Sequence, residues 1–164
     1  MESKTVLLNV VFLISILSVS QCLVNNLKAS DCGSEDGSII NIDVSGCEGK
    51  DICPLQLGTN VTMVATFTSD VTSKSLTVFA YGKIGIFRKK FKLPNSNACD
   101  NDVSCPTSPN QTYNYTLTIF IEKNYPKIPV DVELHLKDDS NKDVFCALIP
   151  CHIVEALPVV VQII

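Results

Sequence analysis

Two short cysteine loops, Cys47-Glu-Gly-Lys-Asp-Ile-Cys53-Pro54 and Cys99-Asp-Asn-Asp-Val-Ser-Cys105-Pro106, indicate the fold class of this 164-residue chain. Each loop encloses five residues between its cysteines and is followed at once by proline. An early Cys32 and a late Cys146 frame almost everything between them. Structural zinc sites use more closely spaced cysteine pairs, whereas small exported domains are commonly held together by disulfides. The pattern therefore predicts a disulfide-linked domain rather than a metal site.

The N-terminus predicts export. Residues Val6 to Val19 are almost all apolar, with Lys4 before them and small or polar residues after them. A run of this length at this position is typical of a secretory signal peptide, because a membrane-spanning helix needs about 20 apolar residues. We assign residues 1–22 to the signal peptide, with cleavage after Ser20 as well as after Cys22 compatible with the pattern. An N-terminal anchor helix is the alternative.

Sequons and charge agree with a secreted or lysosomal protein. Asn60, Asn110 and Asn114 each begin an Asn-x-Thr glycosylation sequon. The formal net charge is −4 and the sequence pI is about 5.1. A nucleic-acid-binding domain needs a strongly basic face, so no nucleic-acid partner is expected.

The remaining chain, residues 23–164, is long enough for one domain, whose core we place at about 31–154. Alternation of apolar and polar residues predicts strands: Val130, Val132, Leu134 and Leu136 share one face. The same alternation sets Tyr113, Tyr115, Leu117, Ile119 and Ile121 on one face, and Val61, Met63, Ala65 and Phe67 on another. Further strands are predicted over 39–44, 76–86 and 145–154, with hairpin loops at 68–74 and 137–143. About seven short antiparallel strands predict an all-β fold, a two-sheet sandwich.

Sequence alone does not fix the disulfide pairing, since six cysteines allow fifteen arrangements. Cys47–Cys53 and Cys99–Cys105 are the local choices, and Cys32–Cys146 would then join the start of the domain to its last strand. Cys151 is left over. A buried free thiol is one interpretation; pairing with a retained Cys22 or with a second chain is the other.

The order and spacing of these motifs resemble the ML lipid-recognition family, within it the Niemann–Pick type C2-like proteins. The resemblance covers about residues 31–154. It rests on Asp31-Cys32-Gly33-Ser34, Val44-Ser-Gly-Cys47, Cys53-Pro54, Thr66-Phe-Thr-Ser69, Phe91-Lys-Leu-Pro94, Cys99, Cys105-Pro106, Thr112-Tyr113, Tyr125-Pro126, Asp138-Asp139, Phe145-Cys146 and Ile149-Pro150.

The resemblance implies an immunoglobulin-like sandwich whose sheets enclose an apolar lipid cavity, and it implies the three cysteine pairings named above. It also implies a set of residues around the entrance to that cavity. By position in the motifs these are Phe91, Ile121 and Tyr125, with Pro126 beside Tyr125.

Two features depart from the sterol carriers of that family. Ala147 stands where those proteins have Trp, which predicts a wider or reshaped pocket. Arg88-Lys89-Lys90 with Lys92 replaces an apolar, proline-rich loop. We therefore expect a cationic loop beside Phe91 that contacts anionic head groups, on a membrane or on a bound lipid. A solvated loop without such contacts is the alternative.

The predicted function is a secreted carrier that binds a sterol or similar apolar lipid and transfers it. We expect transient contact with anionic membranes or with a membrane lipid transporter, and a monomeric protein. No cofactor or metal is expected. The alternative is a lipid-recognition module in innate immunity or chemosensory signalling. Catalysis is disfavoured, because the only histidines are His135 and His152 and no nucleophile elbow or zinc-type His pair is present.

Overall fold

The computed structural model describes residues 27–157, which form nine β-strands and one short 3₁₀ turn. In chain order the elements are β1 Ser30–Asp31, β2 Gly37–Val44, β3 Cys53–Gln56, β4 Asn60–Ser69, β5 Thr77–Ile84, β6 Phe87–Phe91, the 3₁₀ turn Ala98–Asp100, β7 Gln111–Phe120, β8 Pro129–Lys137 and β9 Asp143–Val154. Within this range no helix is long and apolar enough to cross a membrane. The predicted signal peptide and Cys22 lie outside the described residues.

The strands form two sheets packed face to face. The first sheet has the order β1-β9-β8-β5-β6, and β3 adds to it by pairing with β9. The second sheet has the order β2-β4-β7. The all-β, immunoglobulin-like sandwich is thus confirmed. The expectation of about seven strands, all antiparallel, was wrong in detail, because β3 runs parallel to β9 along Cys53–Gln56.

The inward faces follow the period-two pattern of the sequence. On β4, Val61, Met63, Ala65 and Phe67 are all buried. On β7 and β8, the apolar members of each alternating series likewise point into the sandwich, while the residues between them are less buried. Burial of these side chains supplies the main favourable term in folding, about 25 cal/mol for each Å² of apolar surface removed from water.

Two sequence predictions of connectivity were wrong. The continuous strand predicted over 76–86 ends at Ile84, and a tight turn at Gly85 and Ile86 leads into β6. Gly85 has φ of 57°, a left-handed conformation that glycine adopts without steric cost. The segment 68–74 is not a hairpin loop, because β4 and β5 belong to different sheets. The segment 137–143, in contrast, does join the antiparallel pair β8 and β9.

Three disulfides link the sandwich: Cys32–Cys146, Cys47–Cys53 and Cys99–Cys105. The first ties the segment after β1 to β9 across a sequence separation of 114 residues. Cys151 is buried and has no disulfide partner among the described residues. Its thiol donates a hydrogen bond to the Ile149 carbonyl at 3.4 Å.

Candidate functional site

A cavity of about 110 Å³ lies between the sheets, in the half of the sandwich that contains the end of β7 and the start of β8. The second sheet contributes one wall, which consists of Val44, Val61, Met63, Leu117 and Ile119. The first sheet contributes the other, which consists of Ala80, Val130, Val132, Leu134, Ile149, Cys151 and Ile153, with Cys53 and Leu55 from β3. Apolar walls of this kind stay dry and accept apolar guests.

Three of the residues predicted for the cavity entrance do line the cavity. Phe91 is the last residue of β6, Ile121 directly follows β7, and Tyr125 lies on the loop that crosses from β7 to β8. The Phe91 and Tyr125 rings are 6.3 Å apart between centroids, and both are half-buried. Lys92 and Phe120 also line the cavity and are exposed, so this cluster marks where the cavity meets solvent. Pro126 is exposed and does not line it.

Gly82 on β5 leaves space for the Phe91 ring. A Cβ atom built on Gly82 would lie 2.6 Å from Cζ and 2.8 Å from Cε2 of Phe91, closer than any real contact allows. The absence of a side chain at Gly82 therefore lets the ring lie directly across the strand. Sequence reasoning missed this residue, although a glycine inside a strand pattern signals close approach of a neighbour.

The predicted cationic loop is instead a strand. Arg88, Lys89 and Lys90 lie within β6, an edge strand that pairs with β5 from Phe87 to Phe91. Edge strands tolerate lysine because one backbone side faces solvent, so a run of charges does not exclude a strand. Lys92 follows the strand. The alternation of β6 places Arg88 and Lys90 on the face opposite to Phe91.

Arg88 and Lys90 have intramolecular partners on that outer face. The Arg88 guanidinium lies 3.6 Å from the centre of the Tyr81 ring, and its Nε donates to Glu133 Oε2 at 2.7 Å. Lys90 Nζ lies 4.1 Å from the centre of the Phe79 ring. Burial alone would raise the pKa of Glu133, but hydrogen bonds from Arg88 and His135 outweigh it and hold that pKa below its usual value. These contacts fix the edge strand against the sheet.

Cys151 lines the cavity, whereas Ala147 does not. Burial raises the pKa of the Cys151 thiol to about 12, so the thiol in the cavity wall stays protonated and is a poor nucleophile. Ala147 is fully buried opposite Leu134 on the neighbouring strand, but it does not line the cavity. The predicted widening by Ala147 therefore does not act on the wall itself.

One group of described residues has the ligand types of a metal site, but its sulfur atoms are not free. Cys32, Glu133 and Cys146 present ligand-type atoms within 4.8 Å of one another. Both sulfur atoms are joined to each other in a disulfide, so neither is available as a thiolate.

The fold and the cavity define a class of protein: a disulfide-linked β-sandwich with an apolar internal cavity. The family model described as the ML domain matches residues 26–153, and the chain belongs to this family.

Two curated relatives and one solved structure match the chain over most of their own lengths. The chain is 36% identical over 146 residues to the NPC intracellular cholesterol transporter 2 of Bos taurus, covering 89% of this chain and 97% of that protein. It is 35% identical over 128 residues to the protein of the same name from Danio rerio, covering 78% and 85%. Among solved structures, a Niemann–Pick type C2 protein from the Japanese carpenter ant matches with a TM-score of 0.73 and 25% identity, covering 76% of this chain and 98% of that one.

Proposed function

We propose that this protein is a lipid carrier that binds one sterol or similar apolar lipid in the cavity and transfers it to a membrane or to another protein. The observation that supports this proposal most directly is the apolar cavity, which opens beside Phe91 and Tyr125. Relatives of the chain are named as cholesterol transporters. Those names do not favour the sensing role, and they describe transporters rather than enzymes.

Simple energetics support tight binding. An apolar ligand gains roughly 25 cal/mol for each Å² removed from water, so a guest that buries several hundred Å² overcomes the loss of its rotational freedom. The cavity of about 110 Å³ is smaller than a typical ligand pocket of ~300–1,000 Å³. A sterol therefore requires the walls to separate, and the half-buried rings of Phe91 and Tyr125 are the side chains that we expect to move first.

Lipid extraction and native mass spectrometry of the secreted protein test this proposal. We expect one lipid molecule per chain. Phe91→Ala should weaken binding of a fluorescent sterol by about tenfold, since it removes a large apolar contact at the entrance. Thr118→Ala, on the exposed face of β7, is the matched control and should leave affinity unchanged. A wild-type protein that binds no sterol or other apolar lipid contradicts the proposal.

Membrane contact during transfer is the second part of the proposal. The β5–β6 hairpin exposes Ile84, Ile86 and Phe87 at its tip, with exposed fractions of 45%, 94% and 74%. Lys89 lies on the same strand as Phe87, and Lys92 follows that strand at its other end; neither forms an ion pair with a described residue. Cations near an anionic bilayer contribute about 1 kcal/mol each, and apolar tips add contact with the lipid.

Transfer rates test this contact. Lys89→Gln combined with Lys92→Gln should slow transfer to anionic vesicles more than transfer to zwitterionic vesicles. Lys74→Gln combined with Lys142→Gln, at the opposite end of the sandwich, is the control. Equal slowing by both pairs, or none by the first, would count against a specific membrane-facing hairpin.

The third part of the proposal is that the protein is exported and glycosylated. The side chains of Asn60, Asn110 and Asn114 are all exposed, so each is accessible to a glycan. We propose that the protein is a secreted or lysosomal glycoprotein that acts as a monomer. Enzymatic deglycosylation should lower its mass by one glycan for each occupied site, and secretion from expressing cells should require residues 1–22.

A further inference from the structure

Lys92 is the one charged residue that lines the cavity, among the residues that the structure describes. It is exposed and directly follows Phe91, at the end of the cavity that meets solvent. It forms no ion pair with a described carboxylate. An otherwise apolar cavity therefore has a single cation at its entrance.

The neighbouring cations do not share this position. Arg88 binds Glu133 and stacks on Tyr81, and Lys90 lies over Phe79, all on the outer face of the sheet. Lys89 is exposed and does not line the cavity. Strict alternation would place Lys92 on the outer face with Arg88 and Lys90, but β6 ends at Phe91, and Lys92, beyond the strand, lines the cavity.

We propose that the cavity selects amphiphiles with a single anionic head group, held by Lys92 Nζ at the entrance while the apolar part lies between the sheets. This inference rests on the proposed function and names its ligand class: a long-chain carboxylate or a sterol sulfate rather than the corresponding neutral alcohol. The head group stays at the solvent boundary, so its charge is not stripped of water and the desolvation cost of a buried ion pair does not arise.

Two matched ligand pairs test the selection in solution, without membranes. Oleate is compared with oleyl alcohol, and cholesterol sulfate with cholesterol, each below the concentration at which it aggregates. For the wild-type protein we expect the anionic member of each pair to bind about three- to fivefold more tightly at low ionic strength. Added salt should reduce the preference, because exposed charge pairs are screened over about 10 Å at 0.1 M.

Charge variants distinguish an effect of Lys92 from an effect of the neighbouring cations. Lys92→Gln should bind the neutral and anionic members of each pair with equal affinity. Lys92→Glu should prefer the neutral member. Lys89→Gln, which alters a neighbouring exposed cation outside the cavity wall, should retain the wild-type preference. Circular dichroism of each variant establishes that the fold is intact.

The outcomes distinguish this inference from the proposed function. Wild-type protein that binds each acid and its alcohol equally, or a preference that persists in Lys92→Gln, overturns the role of Lys92 and leaves the carrier function standing. Wild-type protein that binds none of the four lipids overturns both. A preference lost equally in Lys89→Gln shows a general charge effect and also overturns selection by Lys92.

Discussion

The two halves of the sandwich have the same alternating apolar pattern but differ in how the interior is filled. The closed half is packed around three large rings that are fully buried, Phe67, Tyr115 and Phe145. The Phe67 ring lies 5.2 Å from that of Phe145 and 5.8 Å from that of Tyr113, between centroids. In the other half, the same strands present mostly aliphatic side chains and leave the cavity of about 110 Å³.

This difference assigns separate roles to the halves. A cavity forgoes the dispersion contacts that its lining atoms would otherwise make, so the cavity half contributes less stability for each apolar residue. The aromatic packing of the closed half offsets that loss. We therefore expect substitutions in the closed half to affect stability most, and substitutions around the cavity to affect ligand binding most.

The largest expected effect comes from the disulfides. Cys146 lies on the closed half of β9, whereas Cys53 lines the cavity. Replacing Cys32 and Cys146 with Ser opens a link of 114 residues and should cost about 4–5 kcal/mol in the free energy of unfolding. Replacing Cys47 and Cys53 opens a link of only 6 residues and should cost about 2–3 kcal/mol. Guanidinium unfolding measures both, and equal losses would contradict this ranking.

Next come two core truncations on the same strand. Phe67→Ala removes a fully buried ring from the closed half and should cost about 3–5 kcal/mol. Met63→Ala acts in the cavity wall, where contacts are already incomplete, and should cost about 2 kcal/mol. Chemical denaturation of the two variants checks the difference. A Met63→Ala loss as large as that of Phe67→Ala would show that the halves are equally well packed.

Gly82→Ala tests whether stability and lipid release depend on the position of the Phe91 ring against β5. The added methyl group would overlap the ring, so we expect a loss of about 1–3 kcal/mol in stability and faster lipid release. In a Phe91→Ala background most of this cost should vanish, because the overlapping ring is gone. The same cost in both backgrounds would place the strain elsewhere than at Phe91. Unfolding curves and stopped-flow lipid release supply the two measurements.

The smallest effect concerns the hydroxyl of Tyr115, which is buried without a hydrogen-bond partner among the described residues. Tyr115→Phe should stabilise the protein by up to ~1 kcal/mol at pH 7, since it removes an unpaired polar group. Lower stability of the variant at that pH would show that the hydroxyl has a partner.

The pH dependence of the same variant has a definite sign. Burial raises the pKa of Tyr115 to about 12, above the value of about 10 for an unfolded tyrosine. The unfolded chain therefore loses this proton first, and the stability of the wild type falls as the pH rises from about 10 to 12. The advantage of Tyr115→Phe should grow across that window, as measured by unfolding at fixed pH. A constant advantage would indicate that Tyr115 ionises equally in both states.

The sequence predicted the sheets well because period-two alternation reports directly which face of a strand is buried. It predicted the strand over 76–86 poorly at its end, because Gly85 lies between two isoleucines and the apolar run masks the turn. The cationic stretch was assigned to a loop because it replaces an apolar, proline-rich loop of the related sterol carriers, yet β6 is an edge strand where lysine is tolerated.

The cavity itself was implied by family resemblance rather than by the alternation. Periodicity gives the face on which Met63 and Phe67 lie, and it assigns both to the interior in the same way. Whether that interior is filled depends on how far apart the sheets stand at each point, which is a property of the assembled sandwich. For the same reason Phe120, on the outward phase of β7, was not predicted to line the entrance.

Methyl NMR of the complex with a bound lipid tests the asymmetry between the halves most directly. The account predicts a one-to-one complex in which protons of the lipid show contacts to the methyl groups of Leu117, Ile149 and Ile153, and none to those of Leu76 and Leu136 in the closed half. A lipid that contacts only exposed surface methyl groups, or contacts both halves equally, would contradict it.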